Sequence, residues 1–157
     1  MSDKAEKQGA KKEKYKLNVG KIDEGFVIDH IRPGMGLKLY HDMGLNKLDC
    51  SVAIIQNASS PKMGKKDIIK VETSIDNLNM DIISLLDHNA TVDVIKNGEI
   101  IAKPELPLPK EVKNIIRCKN PRCIASIEQG LDNIFVLTDA KTATYRCKYC
   151  ETEYGNQ

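Results

Sequence analysis

Two short cysteine-containing segments, C-K-N-P-R-C at residues 118–123 and C-K-Y-C at residues 147–150, decide how the end of this chain folds. Their pattern is C-x4-C, a spacer of 23 residues, then C-x2-C. Two such knuckles can face each other with four thiolates at the corners of a tetrahedron, the geometry of closed structural zinc sites. Four cysteines leave no open position for water or substrate, so we expect Cys118, Cys123, Cys147 and Cys150 to hold one structural Zn²⁺.

The alternative for these cysteines is a pair of disulfide bonds. No apolar signal segment precedes the chain, so we expect a cytoplasmic protein in a reducing compartment. Paired cysteines are more often metal ligands than bridges in that compartment. The fifth cysteine, Cys50, has no second thiol at metal-binding spacing and is most simply a small apolar core residue.

Charge is unevenly distributed along the 157 residues, although the formal net charge is only +2. Residues 1–16 carry six lysines and three acids, residues 17–109 carry ten bases and thirteen acids, and residues 110–157 carry eight bases and six acids. Four thiolates around Zn²⁺ add −2, so the last part is roughly neutral and lacks the basic surface of a nucleic-acid binder. A zinc-ribbon protein that binds nucleic acid through its basic tail is the alternative.

No apolar run is long enough for a membrane helix, and we expect no membrane partner.

Before the cysteines, short strand and helix patterns alternate. Residues 1–15 show no apolar periodicity and predict a disordered tail, whereas residues 16–103 predict one α+β domain with two helices on one face of an antiparallel sheet. The predicted strands are Tyr15–Val19, Gly25–Ile31, Cys50–Gln56 and Asp67–Glu72. One predicted helix runs from Met35 to Met43, and a second begins at a capping box at Thr73–Asp76. A predicted hairpin joins Thr91–Ile95 to Glu99–Lys103. The Asn97-Gly98 pair predicts a type I′ turn in that hairpin. We expect a loop at residues 57–66.

Three prolines, Pro104, Pro107 and Pro109, follow within six residues. They predict a stiff extended linker at residues 104–109 and place the domain boundary there. The remaining residues, 110–157, are too few to bury much apolar surface, and structural zinc can supply about 10–16 kcal/mol of folding free energy to such a unit. We therefore expect a small all-β zinc-binding domain.

The three histidines do not form a recognisable active site. His30 follows Asp29 on a predicted strand, where successive side chains point to opposite faces, so we expect no catalytic dyad. His41 and His88 lie on predicted helices. The sequence contains no Walker loop, nucleophile elbow or dinucleotide-binding glycine motif. We expect a chain with no catalytic activity of its own.

Lysines are dispersed over the first domain, at Lys21, Lys70, Lys103 and in a group at residues 62–66. Point charges of this kind can hold phosphates without a P-loop. The alternative is an ordinary solvated surface.

Several longer motifs accompany the cysteines. They are G-F-V-I-D-H-I at residues 25–31, M-G-K-K-D-I-I-K at 63–70, A-T-V at 90–92, the proline-rich linker, and C-K-Y-C-E at 147–151. On these motifs the chain, from residue 16 to residue 154, resembles the regulatory chains of aspartate carbamoyltransferase.

The resemblance implies a ferredoxin-like N-terminal sheet and a non-catalytic regulatory subunit in pyrimidine biosynthesis. Such chains bind ATP or CTP as allosteric effectors, with UTP as a further candidate. They pair as homodimers through the first domain and use the zinc domain to hold catalytic chains, in an assembly of six catalytic and six regulatory chains.

The resemblance also implies site residues. Asp29 and Lys70 would contact the ribose, and His30 and Lys103 would approach the phosphates. The residues that would border the base are Val19, Lys21, Ile22, Ile95 and Ile100. In the zinc domain, Asn120 and Glu151 match positions that contact the catalytic chain.

The chain departs from the family pattern in four places. Asp93 stands beside the nucleotide where well-known members have Asn, and the added negative charge bears on affinity and effector preference. Gly98 replaces a larger residue near the base, and Arg122 replaces an Asn in the first knuckle. The N-terminal tail is longer, in a region that helps form a second nucleotide site in some members.

Overall fold

The structure, a computed structural model, describes residues 20–154. The predicted tail, the predicted strand Tyr15–Val19 and the predicted site residue Val19 lie outside the described residues. The structure contains two antiparallel sheets, one on each side of the proline-rich segment. Within the described part, no helix is both long and apolar enough to cross a membrane.

The first sheet has five strands in the order β2-β3-β1-β4-β5, and each strand is antiparallel to its neighbours. Its elements are β1 (Gly25–Ile31), α1 (Gly36–Asp42), β2 (Ser51–Ser60), β3 (Gly64–Glu72), α2 (Met80–Leu86), β4 (Thr91–Lys96) and β5 (Glu99–Ala102). This arrangement confirms the predicted α+β fold class.

The two faces of this sheet differ because strand side chains alternate. Phe26 and Ile28 of β1 are fully buried in a core that also contains Leu39 of α1 and Leu86 of α2. The intervening residues, such as Val27, point to the opposite face. We call this second face the helix-free face, and the charged residues discussed below lie on it.

The predicted loop at residues 57–66 is wrong for most of its length. Strand β2 continues to Ser60 and β3 begins at Gly64, so only residues 61–63 form the turn. A bulge near Asn57, whose φ is 57°, keeps β2 paired with β3 on both sides of the irregular segment. The buried carboxylate of Asp67 accepts the backbone N–H of Asn57 at 3.0 Å, which holds the bulge in place.

The predicted start of the second helix is also wrong. Ser74 caps a 3-10 turn at Ile75–Asn77, and the α-helix begins only at Met80. Asn79 is the N-cap residue, and its side-chain oxygen accepts the N–H of Ile82 at 3.2 Å. Asn79 stands directly before α2, so its side chain satisfies a free N–H of the first helical turn. The capping box predicted at Thr73–Asp76 lies farther upstream, and its Ser74 caps only the 3-10 turn.

The hairpin prediction is confirmed. Strands β4 and β5 pair around Asn97 and Gly98, whose φ values of 54° and 76° are both positive, as a type I′ turn requires. The N–H of Gly98 also donates to the carbonyl of Asp23 at 2.9 Å. The turn is therefore tied to the segment that enters β1.

The second sheet has four strands in the order β6-β7-β8-β9. They are β6 (Glu111–Lys113), β7 (Ile134–Asp139), β8 (Thr144–Cys147) and β9 (Glu153–Tyr154), and a short helix α3 (Ile124–Ile127) interrupts the predicted all-β pattern. This helix starts immediately after Cys123. Phe135 and Tyr145 form the centre of the core of this unit.

Candidate metal centre and histidine cavity

The four cysteines of the two knuckles converge in space. Their Sγ atoms all lie within 4.8 Å of one another, and Cys123 and Cys147 are buried. The Sγ–Sγ distances are 3.5 Å for Cys118 and Cys150 and 3.7 Å for Cys123 and Cys147. A tetrahedron with Zn–S bonds of about 2.3 Å has edges of about 3.8 Å, so this spacing fits a four-thiolate metal site. All four thiols are free, which contradicts the disulfide alternative.

Local hydrogen bonds shape the first knuckle. The side-chain oxygen of Asn120 accepts the N–H of Arg122 at 3.0 Å, and its carbonyl accepts the N–H of Cys123 at 3.1 Å. The side-chain oxygen of Asn133, on the approach to β7, accepts the N–H of Cys118 at 3.1 Å. These bonds orient both cysteines of the C-x4-C segment toward the second knuckle.

The thiols differ in how readily they ionise before a metal binds. Burial raises the pKa of Cys118 to about 12 and also raises the pKa of Cys123. The hydroxyl of Thr152, whose Oγ1 lies 3.1 Å from the sulfur, lowers the pKa of Cys150 to about 6. Metal ligation requires thiolates, so binding must release protons from Cys118 and Cys123, whose pKa values are raised.

The helix-free face of the first sheet carries a row of charged residues. Lys70 and Asp93 both lie directly opposite Val27, on the two neighbouring strands, so all three share this face. Asp93 forms an ion pair with Lys103 at 3.6 Å, and Asp29 forms one with Lys66 at 3.0 Å. Each of the two aspartates in the row is therefore paired with a lysine.

A cavity of about 470 Å³ opens beside this row, between β1, β4 and the segment after β5. We call it the histidine cavity because both His30 and His88 line it. Of the predicted nucleotide-binding residues, the cavity brings together Asp29, His30, Asp93 and Lys103.

His30 does not obey the strand alternation expected from sequence. Its φ of 56° and the shift in register between Ile28 and Ile31 break the regular pleat of β1. The Nδ1 atom of His30 consequently lies 4.0 Å from Asp29 Oδ1 and 2.8 Å from Thr91 Oγ1. The expectation that Asp29 and His30 point to opposite faces was wrong, because one irregular residue turns the imidazole into the same cavity.

Of the other predicted nucleotide-binding residues, the five that the structure describes, Lys21, Ile22, Lys70, Ile95 and Ile100, lie outside the cavity lining. Lys70 lies on the helix-free face two strands away from β4. Ile95 pairs with Ile100 at the hairpin end of β4 and β5, and Ile95 lies opposite Gly25, which follows the segment containing Lys21 and Ile22. Gly25 and Asp29 are four residues apart, about 13 Å along the strand. The predicted base-binding and phosphate-binding residues therefore occupy opposite ends of β1.

Three charged or polar residues that line the cavity, His88, Thr91 and Glu105, were not predicted from sequence. Lys66 belongs to the lysine group at residues 62–66 that was considered for phosphate binding, and the structure pairs it with Asp29. Its spacing of four from Lys70 places both lysines on one face of β3. His88 carried no usable signal, since it was assigned to a helix, and the structure places it in the turn after α2.

The positions predicted to contact a catalytic chain flank the metal centre. Asn120 is half-buried inside the first knuckle, and Glu151 is exposed directly after Cys150, with a φ of 64°. Exposed apolar side chains of Ile124, Ile127 and Tyr149 lie in the same two knuckle regions.

Comparison with known proteins assigns both parts of the chain to one family. Residues 17–107 match the allosteric domain, and residues 110–157 the metal binding domain, of the aspartate carbamoyltransferase regulatory chain. The chain is 47% identical over 139 residues to the aspartate carbamoyltransferase regulatory chain of Clostridium botulinum (strain Hall), covering 88% of this chain and 94% of the relative.

More distant relatives show the same correspondence. The regulatory chain of Clostridium tetani is 42% identical over 138 residues, covering 88% of this chain and 96% of the relative. That of Bifidobacterium longum is 36% identical over 137 residues, covering 87% of this chain and 98% of the relative. The protein therefore belongs to the family of aspartate carbamoyltransferase regulatory chains, non-catalytic subunits with an allosteric domain followed by a metal-binding domain.

Proposed function

We propose that this chain binds ATP and CTP on the helix-free face of its five-stranded sheet and docks onto catalytic chains of aspartate carbamoyltransferase through its metal-binding sheet. Its role would be allosteric control of pyrimidine biosynthesis. The single observation that carries the effector site is the histidine cavity, in which two imidazoles and Lys103 adjoin a row of matched charges. UTP is a third candidate effector.

We place the nucleotide along β1. The phosphates would lie in the histidine cavity near His30 and Lys103, and the ribose would lie near Asp29 and Lys70. The base would reach the hairpin end, against Ile95 and Ile100. The separation of about 13 Å between Gly25 and Asp29 along β1 supports an extended ligand, not a compact one.

We propose that the metal is Zn²⁺, one ion per chain. Four thiolates in a closed set are the donors that structural zinc prefers. The ion would supply folding free energy to a unit of fewer than fifty residues, and it would hold Asn120 and Glu151 in place for the catalytic chain. The exposed Ile124 and Ile127 offer apolar area for the same contact.

Control of the enzyme requires that ATP and CTP bind the two quaternary states with different affinities. We propose that the difference is transmitted from the nucleotide-binding sheet to the metal-binding sheet through α2 and the proline-rich linker. Leu85 of α2 packs into the core around Phe135, and the Tyr145 hydroxyl donates to the Pro109 carbonyl at 2.7 Å. Both contacts support a direct mechanical link between the two sheets.

We propose the quaternary assembly on the basis of family membership. The chain would form homodimers through its first domain and enter a cytoplasmic complex of six catalytic and six regulatory chains. A zinc-ribbon protein that binds nucleic acid is not favoured, because the family match covers both sheets.

The experiment that tests effector binding is isothermal titration of the zinc-loaded full chain with CTP and with ATP. We expect binding in the micromolar to millimolar range, which Lys103→Ala weakens by about tenfold or more because a charge-assisted phosphate contact is lost. Lys47→Ala, an exposed lysine in the segment between α1 and β2, is the matched control. Absence of binding by the zinc-loaded wild-type chain would exclude the proposed effector site.

A further inference from the structure

His30 has an uncommon backbone conformation at the point where β1 leaves the regular sheet. Its φ is 56°, a value that residues other than glycine adopt rarely. Such conformations persist only where the surrounding contacts fix them. The contacts around His30 therefore decide whether its imidazole reaches the histidine cavity.

Regular pairing of β1 is interrupted at His30. Asp29 and Thr91 are the last pair in the register of β1 with β4, and pairing with β3 resumes only at Ile31. The N–H of His30 donates to the Asp29 carboxylate at 2.6 Å, and the Nδ1 atom of His30 lies 2.8 Å from Thr91 Oγ1. The end of β1 beyond Asp29 needs another anchor on the side of β4.

The side chain of Asp87 supplies this anchor. Asp87 is the C-cap residue of α2 and is almost completely buried. Its Oδ2 atom accepts the backbone N–H of Arg32, two residues after His30, at 2.7 Å. The Nε atom of Arg32 lies 3.6 Å from the same oxygen, and the guanidinium also donates to the Leu86 carbonyl at 2.9 Å. Asp87 therefore ties the end of β1 to the end of α2.

The same residue shapes the turn that leads into β4. The Oδ1 atom of Asp87 accepts the N–H of Asn89 at 3.3 Å, and its carbonyl accepts the N–H of Ala90 at 3.1 Å. The next residue, Thr91, contacts the ring of His30. One buried side chain thus fixes both the backbone that follows His30 and the turn that precedes Thr91.

The needs of α2 alone do not explain this carboxylate. A negative charge at the C-terminal end of a helix is unfavourable, because the free carbonyl groups there already carry partial negative charge. A buried carboxylate also needs partners in place of water. The partners of Asp87 are Arg32 and Asn89, which both lie outside the helix. The contribution of this carboxylate is therefore to the geometry of β1 and of the turn.

We propose that Asp87 is a positioning residue of the nucleotide site. Its carboxylate holds Arg32 and the turn before Thr91, and this keeps the imidazole of His30 pointed into the histidine cavity. The consequence for nucleotide binding rests on the effector function proposed above. The placement of the imidazole does not depend on that function and is tested without nucleotide.

The first test is NMR spectroscopy of the zinc-loaded full chain in the absence of nucleotide. We expect nuclear Overhauser contacts between the ring of His30 and the side chain of Thr91 in wild type, and their loss in Asp87→Ala. Asp87→Asn covers the case in which the alanine variant does not fold. It keeps one of the two acceptor oxygens, so we expect weaker contacts than in wild type. Contacts of wild-type strength in the folded variants, or their absence in wild type, would overturn the inference.

The second test is calorimetric titration with CTP in a double-mutant cycle. We expect Asp87→Ala to bind CTP about threefold to tenfold more weakly than wild type, as for one lost hydrogen bond. In a His30→Ala background the same replacement should change the affinity less than about twofold, because two residues that act through one contact are not additive.

Leu45→Ala is the control for general destabilisation. Leu45 is buried in the core beneath the five-stranded sheet and is not part of the cavity lining. Its truncation should lower the stability of the fold and change the affinity for CTP less than about twofold.

Two outcomes of the titrations would overturn the inference while leaving the effector function in place. One is wild-type affinity in Asp87→Ala, and the other is an equal loss with and without His30, which general loosening of the sheet would produce. Failure of the wild-type chain to bind CTP would instead remove the effector function, and with it the role of Asp87 in binding. The nuclear Overhauser contacts would still decide whether Asp87 positions His30.

Discussion

Leu85 and Leu86, consecutive residues of α2, pack into two different hydrophobic cores. Leu86 lies in the core beneath the five-stranded sheet, whereas Leu85 lies with Phe135 and Tyr145 in the core of the metal-binding sheet. Both side chains are almost completely buried. One turn of helix therefore joins the two units of the chain.

Replacing Leu85 with Ala should destabilise the metal-binding sheet and loosen its contact with α2. We expect a loss of about 2–5 kcal/mol in the free energy of unfolding, because a buried leucine is truncated without local collapse. Urea unfolding of the zinc-loaded chain measures the loss. Leu37→Ala on α1, a half-exposed site, should change stability by less than about 0.5 kcal/mol. Similar effects of the two variants would contradict the placement of Leu85 between the units.

Removing the metal should unfold the C-terminal sheet while the five-stranded sheet persists. The four thiolates lie within one cluster, and structural zinc sites of this kind are linked directly to folding. Cys147→Ser should lower the metal content of the purified chain to well below one ion. Cys50→Ser, which changes the cysteine outside the cluster, should leave the metal content at one ion per chain. Metal content and circular dichroism before and after chelation measure these effects, and an unchanged spectrum after complete metal loss would contradict the prediction.

Tyr145 should make the protein sensitive to alkaline pH. Burial, with a smaller contribution from Asp81, raises the pKa of Tyr145 to about 12, above the value of about 10 expected in the unfolded chain. A raised pKa means that its stabilising contribution is complete below about pH 10 and is lost as the pH rises through about 12. Urea unfolding of wild type and Tyr145→Phe at increasing pH tests this. The variant should be less stable by about 1 kcal/mol at neutral pH, from loss of the hydrogen bond to Pro109, and the difference should shrink or reverse at high pH.

Asp93 should weaken nucleotide binding in this chain. Its carboxylate pairs with Lys103 at 3.6 Å and adds negative charge beside the proposed phosphate position. Asp93→Asn should free Lys103 and increase the affinity for CTP by about threefold to tenfold, equivalent to about 1 kcal/mol. Calorimetric titration measures the change, with Asp49→Asn, an exposed site in the segment before β2, as control. Weaker binding by Asp93→Asn would mean that the carboxylate itself contacts the ligand.

Features that depend on neighbouring residues were predictable from the sequence. The Asn97-Gly98 turn needs only two positive φ values, and each cysteine knuckle closes over two to four intervening residues. The alternation of β1 was enough to place Phe26 and Ile28 in the core. Local strand and helix patterns also sufficed for the α+β class, and longer motifs such as G-F-V-I-D-H-I at residues 25–31 carried the family resemblance.

Features that depend on irregular backbone were not predictable. The start of α2 depended on which of two competing caps was used, and the β2–β3 hairpin extended through a polar segment because the Asn57 bulge is held by buried Asp67. His30 turned into the same cavity as Asp29 because a single positive φ broke the pleat. The choice of cap is local, with Asn79 bonding Ile82. The bulges of β1 and β2 depend on pairing and on contacts between residues distant in the sequence, which local periodicity does not contain.

The sequence by itself determined that the four cysteines come together, the order of β1 to β5 with their two helices, and the family to which the chain belongs, because spacing and pattern within short segments encode them. Only the tertiary structure decided that His88 shares a cavity with His30 and that Leu85 enters the second core. The physical reason is that a turn and a helix face acquire their neighbours only when the sheet is assembled. Side chains that are far apart in the sequence then come into contact, at distances determined by the strand register and by the bulges.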